Sequence, residues 1–226
     1  MMLLAVSAHG ENATDYFNLG RKSTSTRTKI KYFSKALELA PNLVEAYENR
    51  GLLYFFQRKF ENAIQDYQAY AALAPPKADV YRMLGLCYLK IGDDSSAIDY
   101  LTRAIAMNPK MAGAYANRAE AYFLKDNYDL TILDSTEAIK LGGDPRNIAD
   151  AYRTRAKAYR KLGETDLSAS DIRSSWQIDP RYAYYFRALY GYANPEGMKK
   201  AGLVAIIGIA FVVIFGIKFK PPEKDE

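Results

Sequence analysis

Residues 44–77, VEAYENRGLLYFFQRKFENAIQDYQAYAALAPPK, and residues 78–111, ADVYRMLGLCYLKIGDDSSAIDYLTRAIAMNPKM, decide the fold. Laid one on the other without a gap, they place Tyr47, Gly51, Tyr54, Ala63 and Pro75 over Tyr81, Gly85, Tyr88, Ala97 and Pro109, each thirty-four residues on. Each copy holds two apolar-periodic stretches of about fourteen residues, such as 44–57 and 60–74, separated by a charged turn, so each reads as a pair of helices. Pro75 and Pro109 follow the second stretch, where proline stops a helix without removing an internal hydrogen bond. Gly51 and Gly85 fall mid-helix at a propensity cost of about 1 kcal/mol each. That cost is tolerated where a second helix must come close.

The repeat extends in both directions. A third copy supplies Tyr115, Ala119 and Tyr122, with Thr131 where the others have alanine. Three extra residues follow around Gly142 and Gly143, and a fourth copy brings Tyr152, Ala156, Tyr159, Gly163 and Pro180. Upstream, Phe33, Ala36 and Pro41 fit the second half of one more unit, whose first half is degenerate around Tyr16 and Phe17. The unit boundaries are 10–43, 44–77, 78–111, 112–148 and 149–182.

Aromatic, small, aromatic, alanine and proline at these offsets resemble the tetratricopeptide repeat family over roughly residues 10–182. Departures exist: Tyr70 stands where a small residue is usual, and Ser168 and Ser175 replace paired alanines. The resemblance implies an all-α fold, a right-handed superhelical solenoid of antiparallel helix pairs, because no single unit can bury its own apolar face. The nineteen tyrosines against one tryptophan then read as packing between helices, with Tyr47, Tyr54 and their equivalents as core. Residues 181–192, RYAYYFRALYGY, are expected to cap the stack, within a capping segment at 183–194.

The family places a binding groove on the first helix of each unit. Carried over, the groove positions are Glu45, Glu48, Leu52 and Phe55; Asp79, Arg82, Leu86 and Leu89; Gly113, Ala116, Glu120 and Phe123; and Asp150, Arg153, Lys157 and Arg160. Such a groove is acidic at its N-terminal end and basic at its C-terminal end. We expect Leu52, Phe55, Leu89 and Phe123 to receive apolar side chains of a partner, with Arg82, Arg153, Lys157 and Arg160 contributing charge. One branch of the family clamps the acidic tails of chaperones. Here only Asn49 and Asn117 stand near clamp positions and Glu48 replaces a needed lysine, so that activity is not expected.

Outside the repeats, residues 201–217, AGLVAIIGIAFVVIFGI, carry no charge. As a helix they would cover roughly 25 Å, and Lys199, Lys200, Lys218 and Lys220 could extend the span by snorkelling. They read as a transmembrane helix, joined to the repeats by a linker at 195–200 and followed by a polar tail at 218–226. Residues 1–9 open with MMLLAVSA, which lacks a basic region and is too short for a complete signal peptide. On that reading the chain is a single-pass, C-terminally anchored membrane protein with cytoplasmic repeats; a truncated signal peptide would instead make them extracytoplasmic. Asn12, Ala13 and Thr14 also form a glycosylation sequon.

The chain of 226 residues has 31 Lys and Arg against 26 Asp and Glu, an excess that reads as spread along the sequence and calls for no nucleic acid. A single histidine, His9, and a single cysteine, Cys87, leave no metal cluster, disulfide or Cys–His pair. Asp93 and Asp94 sit in a turn, as a helix cap and not as an acid–base pair. No catalytic residue, metal, cofactor or small-molecule substrate is therefore expected. Two functions remain: a membrane-anchored adaptor that binds a peptide or helix of a partner protein, or a structural subunit of a membrane complex whose contacts are its transmembrane helix and outer faces.

Overall fold

The computed structural model describes residues 12–75 and 77–179. Ten helices follow one another: α1 (Ala13–Lys22), α2 (Thr26–Leu39), α3 (Val44–Phe56), α4 (Phe60–Leu73), α5 (Ala78–Ile91), α6 (Asp94–Met107), α7 (Ala112–Leu124), α8 (Tyr128–Leu141), α9 (Pro145–Lys161) and α10 (Thr165–Ile178). There is no strand among the described residues. Each helix packs on its sequence neighbours. In addition α5 packs on α7 and α7 on α9, whereas no two second helices of neighbouring units approach to that extent. The first helices therefore lie on the inside of the curve and the second helices on its outside.

Small residues make the closest approaches. A Cβ on Gly85 would lie 2.5 Å from Leu101 Cγ and 3.2 Å from the Ala97 carbonyl oxygen, so glycine alone fits where α5 meets α6. The α5–α6 turn ends on Gly92 in the left-handed region, and Asp93 caps α6 by accepting from the Ser96 amide at 3.0 Å. The apolar core thins along the chain. Tyr67 and Tyr70 pack with Val80, Met83, Leu84 and Cys87 between α4 and α5. The next cluster is Leu89 and Leu101 among alanines, and the third contains only Ala116, Ala138 and Ala151. On α8, Thr131 and Ser135 are fully buried where earlier units place Ala63 and Tyr67, and the Ser135 hydroxyl has no hydrogen-bond partner.

The tyrosines expected in the core are half-buried instead, and they sandwich arginines. Arg50 lies over Tyr47 and Tyr54, Arg118 over Tyr115 and Tyr122, and Arg155 over Tyr152 and Tyr159, at 5.4–5.8 Å from the ring centroids. Each guanidinium also forms a bidentate pair with a buried carboxylate on the second helix of its unit: Arg50 with Asp66, Arg118 with Asp134, Arg155 with Asp171. A third bond crosses to the preceding unit, to the hydroxyl of Ser34, Thr102 or Thr136. Burial works to lower the Arg50 and Arg118 pKa values, but the bonded carboxylates outweigh it and hold both above the usual arginine range. One residue type thus ties first helix, second helix and neighbouring unit together.

Unit 78–111 lacks this tie. Leu84 and Tyr100 occupy the arginine and aspartate positions, Tyr88 stacks on Tyr100 at 5.3 Å, and Gln68 of the preceding unit donates to the Tyr88 hydroxyl at 3.0 Å. Both charged partners have been exchanged together, which avoids a lone buried charge.

The N-terminal segment 1–9, the cap expected at 181–192, the linker at 195–200, the span at 201–217 and the tail at 218–226 lie outside the described residues. Among the described residues no helix is long and apolar enough to cross a membrane.

Candidate partner-binding surface

The inner surface is built from α3, α5, α7 and α9, and the positions expected to line it differ in what they offer. Leu52 on α3 is 41% exposed. Phe55 is half-buried, packed on the core cluster below and edge-on to Phe56 and Phe60 at 5.9 and 5.6 Å. Leu89 is only 6% exposed and belongs to the core cluster that α5 forms with α6 and α7, a correction to its expected role: it is buried among Ala97, Leu101, Ala104, Ala114 and Ala121. Phe123 is half-buried, touching Tyr128 on one side, with the Lys157 ammonium 5.7 Å from its ring centroid on the other.

The charged positions divide in the same way. Arg153 bonds Asp150 on its own helix and Asp179, a fully buried carboxylate beyond α10 at 2.9 Å. It is thus engaged by two acids of its own chain while its side chain stays 26% exposed. Arg82 is bonded to Asp79 at 3.4 Å and lies 3.8 Å from where a Gly113 side chain would begin. The Asn147 side-chain amide stands 2.9 Å from that same point, so a larger residue at 113 would require that amide to swing aside. Lys157 and Arg160 are exposed. Glu48 pairs with Lys77 at 3.5 Å and Glu120 with Lys90 at 3.8 Å, both exposed contacts. Of the expected positions, Leu52, Lys157 and Arg160 are exposed and Phe55 and Phe123 half-buried, with the acids Glu45, Asp79 and Asp150 also exposed.

The profile of the tetratricopeptide repeat matches residues 30–78, 48–104 and 82–134. These are tetratricopeptide repeats. A crystal structure of MamA protein superposes with a TM-score of 0.66 at 27% identity, over 78% of this chain and 96% of that one. YrrB, a tetratricopeptide repeat protein with an unusual peptide-binding site, superposes at 0.64 over 80% of this chain and 94% of its own, at 20% identity, a likeness of fold alone. The stress-induced-phosphoprotein 1 of Caenorhabditis elegans is 23% identical over 74% of this chain and 62% of its own length. For the Hsp70-Hsp90 organizing protein 1 of Glycine max the figures are 24%, 74% and 35%. The chain thus spans less than two thirds of the length of these last two relatives.

Among the described residues no group of His, Cys, Asp and Glu could hold a metal. Cys87 is fully buried, and burial pushes its thiol up to about 12, far from a nucleophile's range. The arginine–aspartate ties of the repeats were not foreseen. Their signal was legible: Asn49-Arg50-Gly51 and Asn117-Arg118-Ala119 each precede an aspartate sixteen residues beyond the arginine.

Proposed function

We propose that the chain is a protein-interaction module whose inner surface takes an extended or helical segment of a partner protein. The observation that carries this reading is Leu52, an apolar side chain left exposed on the inner row of an otherwise well-filled stack. Soluble surfaces expose single leucines often; what adds weight is a second apolar contact at Phe123 with cations Lys157 and Arg160 beside it. Apolar contacts at such a centre supply affinity, while exposed cations chiefly set orientation and on-rate. The complementary segment carries apolar side chains followed by acidic ones. The likeness to the Hsp70-Hsp90 organizing protein 1 of Glycine max supports this class of activity.

The apolar run at 201–217 supports a second element, a membrane tether that holds the module near a bilayer, with the repeats on the cytoplasmic side. The test is photo-crosslinking of the full chain from position 52 and from position 123, followed by Leu52→Ala with Phe123→Ala. Both positions should crosslink one partner, and the double variant should lose it while far-ultraviolet circular dichroism is unchanged. Crosslinks from neither position, with partners still bound, would move the function to the outer faces. The tether is read separately: removal of 201–226 should release the protein from membranes in alkaline carbonate.

A further inference from the structure

The α3–α4 turn breaks the rules that the other turns between the paired helices of a unit obey. Its equivalents in the following units read Lys90-Ile91-Gly92-Asp93, Leu124-Lys125-Asp126-Asn127 and Lys161-Leu162-Gly163-Glu164; here the residues are Phe56-Gln57-Arg58-Lys59. First, Phe56 is 71% exposed, the most exposed of the large apolar side chains among the described residues. Second, Arg58 takes the left-handed conformation, φ 61°, where Gly92 and Gly163 stand and where Asp126 is of a type that tolerates it. Third, Lys59 occupies the N-cap of α4 with no side-chain cap bond, whereas Asp93 and Asn127 cap α6 and α8 by accepting from backbone amides. A cation there also opposes the positive pole of the helix; Glu164 at the same place in the last unit does not. Three independent costs to stability fall within four residues.

The turn is also held rigid. Phe56 is propped edge-on by Phe55, which is propped in turn by Phe60, so the exposed ring is presented and not merely left over. No acid stands in the turn. In the register of the preceding unit the positions of Phe55 and Phe56 are filled by Arg21 and Lys22, both exposed. Counting residues 12–40 gives six Lys and Arg against two Asp and Glu, so the unit that precedes this turn is locally basic, as is 144–163 with the same count.

A protruding aromatic ring flanked by cations does not suit a cleft for a peptide. It suits a flat, anionic, apolar-backed surface, where the ring enters the acyl boundary and the cations meet lipid phosphates. We propose that the α3–α4 turn is a bilayer-contact site: Phe56 inserts at the interface, and Arg58 and Lys59 engage anionic headgroups, with Arg21 and Lys22 at the corresponding end of the preceding unit. This inference is compatible with the tether reading of 201–217 but does not rest on it, since the contact is a property of the turn and is tested apart.

The test uses the full chain with Trp176→Phe and Phe56→Trp, mixed with vesicles of phosphatidylcholine alone or with phosphatidylserine, each with brominated acyl chains. Flotation reads the tether; quenching of the reporter at position 56 reads the turn. In serine-containing vesicles the emission should shift to the blue and be quenched, and both effects should be lost with Arg58→Glu and Lys59→Glu. They should also weaken as salt rises from about 0.1 M toward 1 M, where the screening length falls from about 10 Å to about 3 Å. A chain that floats with a water-exposed, unquenched reporter overturns the proposal and leaves the tether standing. Loss of a protein crosslink on Phe56→Ala, with no quenching, assigns the turn to a protein partner and overturns it equally.

Discussion

At the scale of single residues, the decisive quantity is what covers a side chain. Cys87 sits at 0% exposure among Tyr67, Tyr70 and Leu84, and burial alone raises its thiol. Its thiolate is therefore negligible at pH 8, and reaction requires the α4–α5 core to open. Labelling of the native chain by a thiol reagent should be slow, and its rate should follow the population of the unfolded state as urea is added. Rapid stoichiometric labelling without denaturant would show that Cys87 lies outside the core. The same coverage separates Leu52 from Leu89, since both stand on inner helices and both are leucine, but only Leu89 is buried in the cluster of α5, α6 and α7.

At the scale of elements, each helix pair is closed either by a charged tie or by an aromatic one, and the two cannot be mixed. Leu84→Arg alone places a guanidinium opposite Tyr100, and Tyr100→Asp alone leaves a carboxylate without a partner. Breaking a buried pair costs up to about 3–5 kcal/mol, with the lower values for ties that keep some exposure, as these do. The double variant restores the arrangement of Arg118 with Asp134 and should be more stable than the two single effects sum to, by about 0.5–3 kcal/mol in a urea-unfolding cycle. Strict additivity would mean that arginine and aspartate act independently. The helix pairs themselves were legible from the thirty-four-residue period, because positions where helices approach closely accept little variation: Gly85 could not carry a Cβ. The surface was less legible. A position on the inner row fixes where a Cα stands, not what reaches it from a distance in sequence, and Asp179 reaches Arg153 across twenty-six residues.

At the scale of the whole molecule, the stack is uneven. Its N-terminal half is filled by Tyr67, Tyr70, Leu84 and Leu101, and its C-terminal half by alanines with buried Thr131, Ser135 and Ser175. Apolar area buried is what opposes local opening, at about 25 cal/mol per Å², and alanine and serine contribute little of it. In a solenoid such differences stay local, since each unit touches only its neighbours. Native-state hydrogen exchange should therefore find α8 to α10 opening before α4 to α6; equal protection along the chain would show that the arginine ties compensate fully for the thinner core.

The exchange of both partners in unit 78–111 also bears on descent. For a chain built by duplicating one unit, passing from arginine with aspartate to Leu84 with Tyr100 takes two substitutions, and each order crosses a different ancestor. Losing the arginine first leaves an empty place between the faces of two tyrosine rings and strands the buried carboxylate on the second helix. Losing the aspartate first strands a guanidinium in the same place, where those faces attract it. Of the two stepwise routes, the second is the shallower valley.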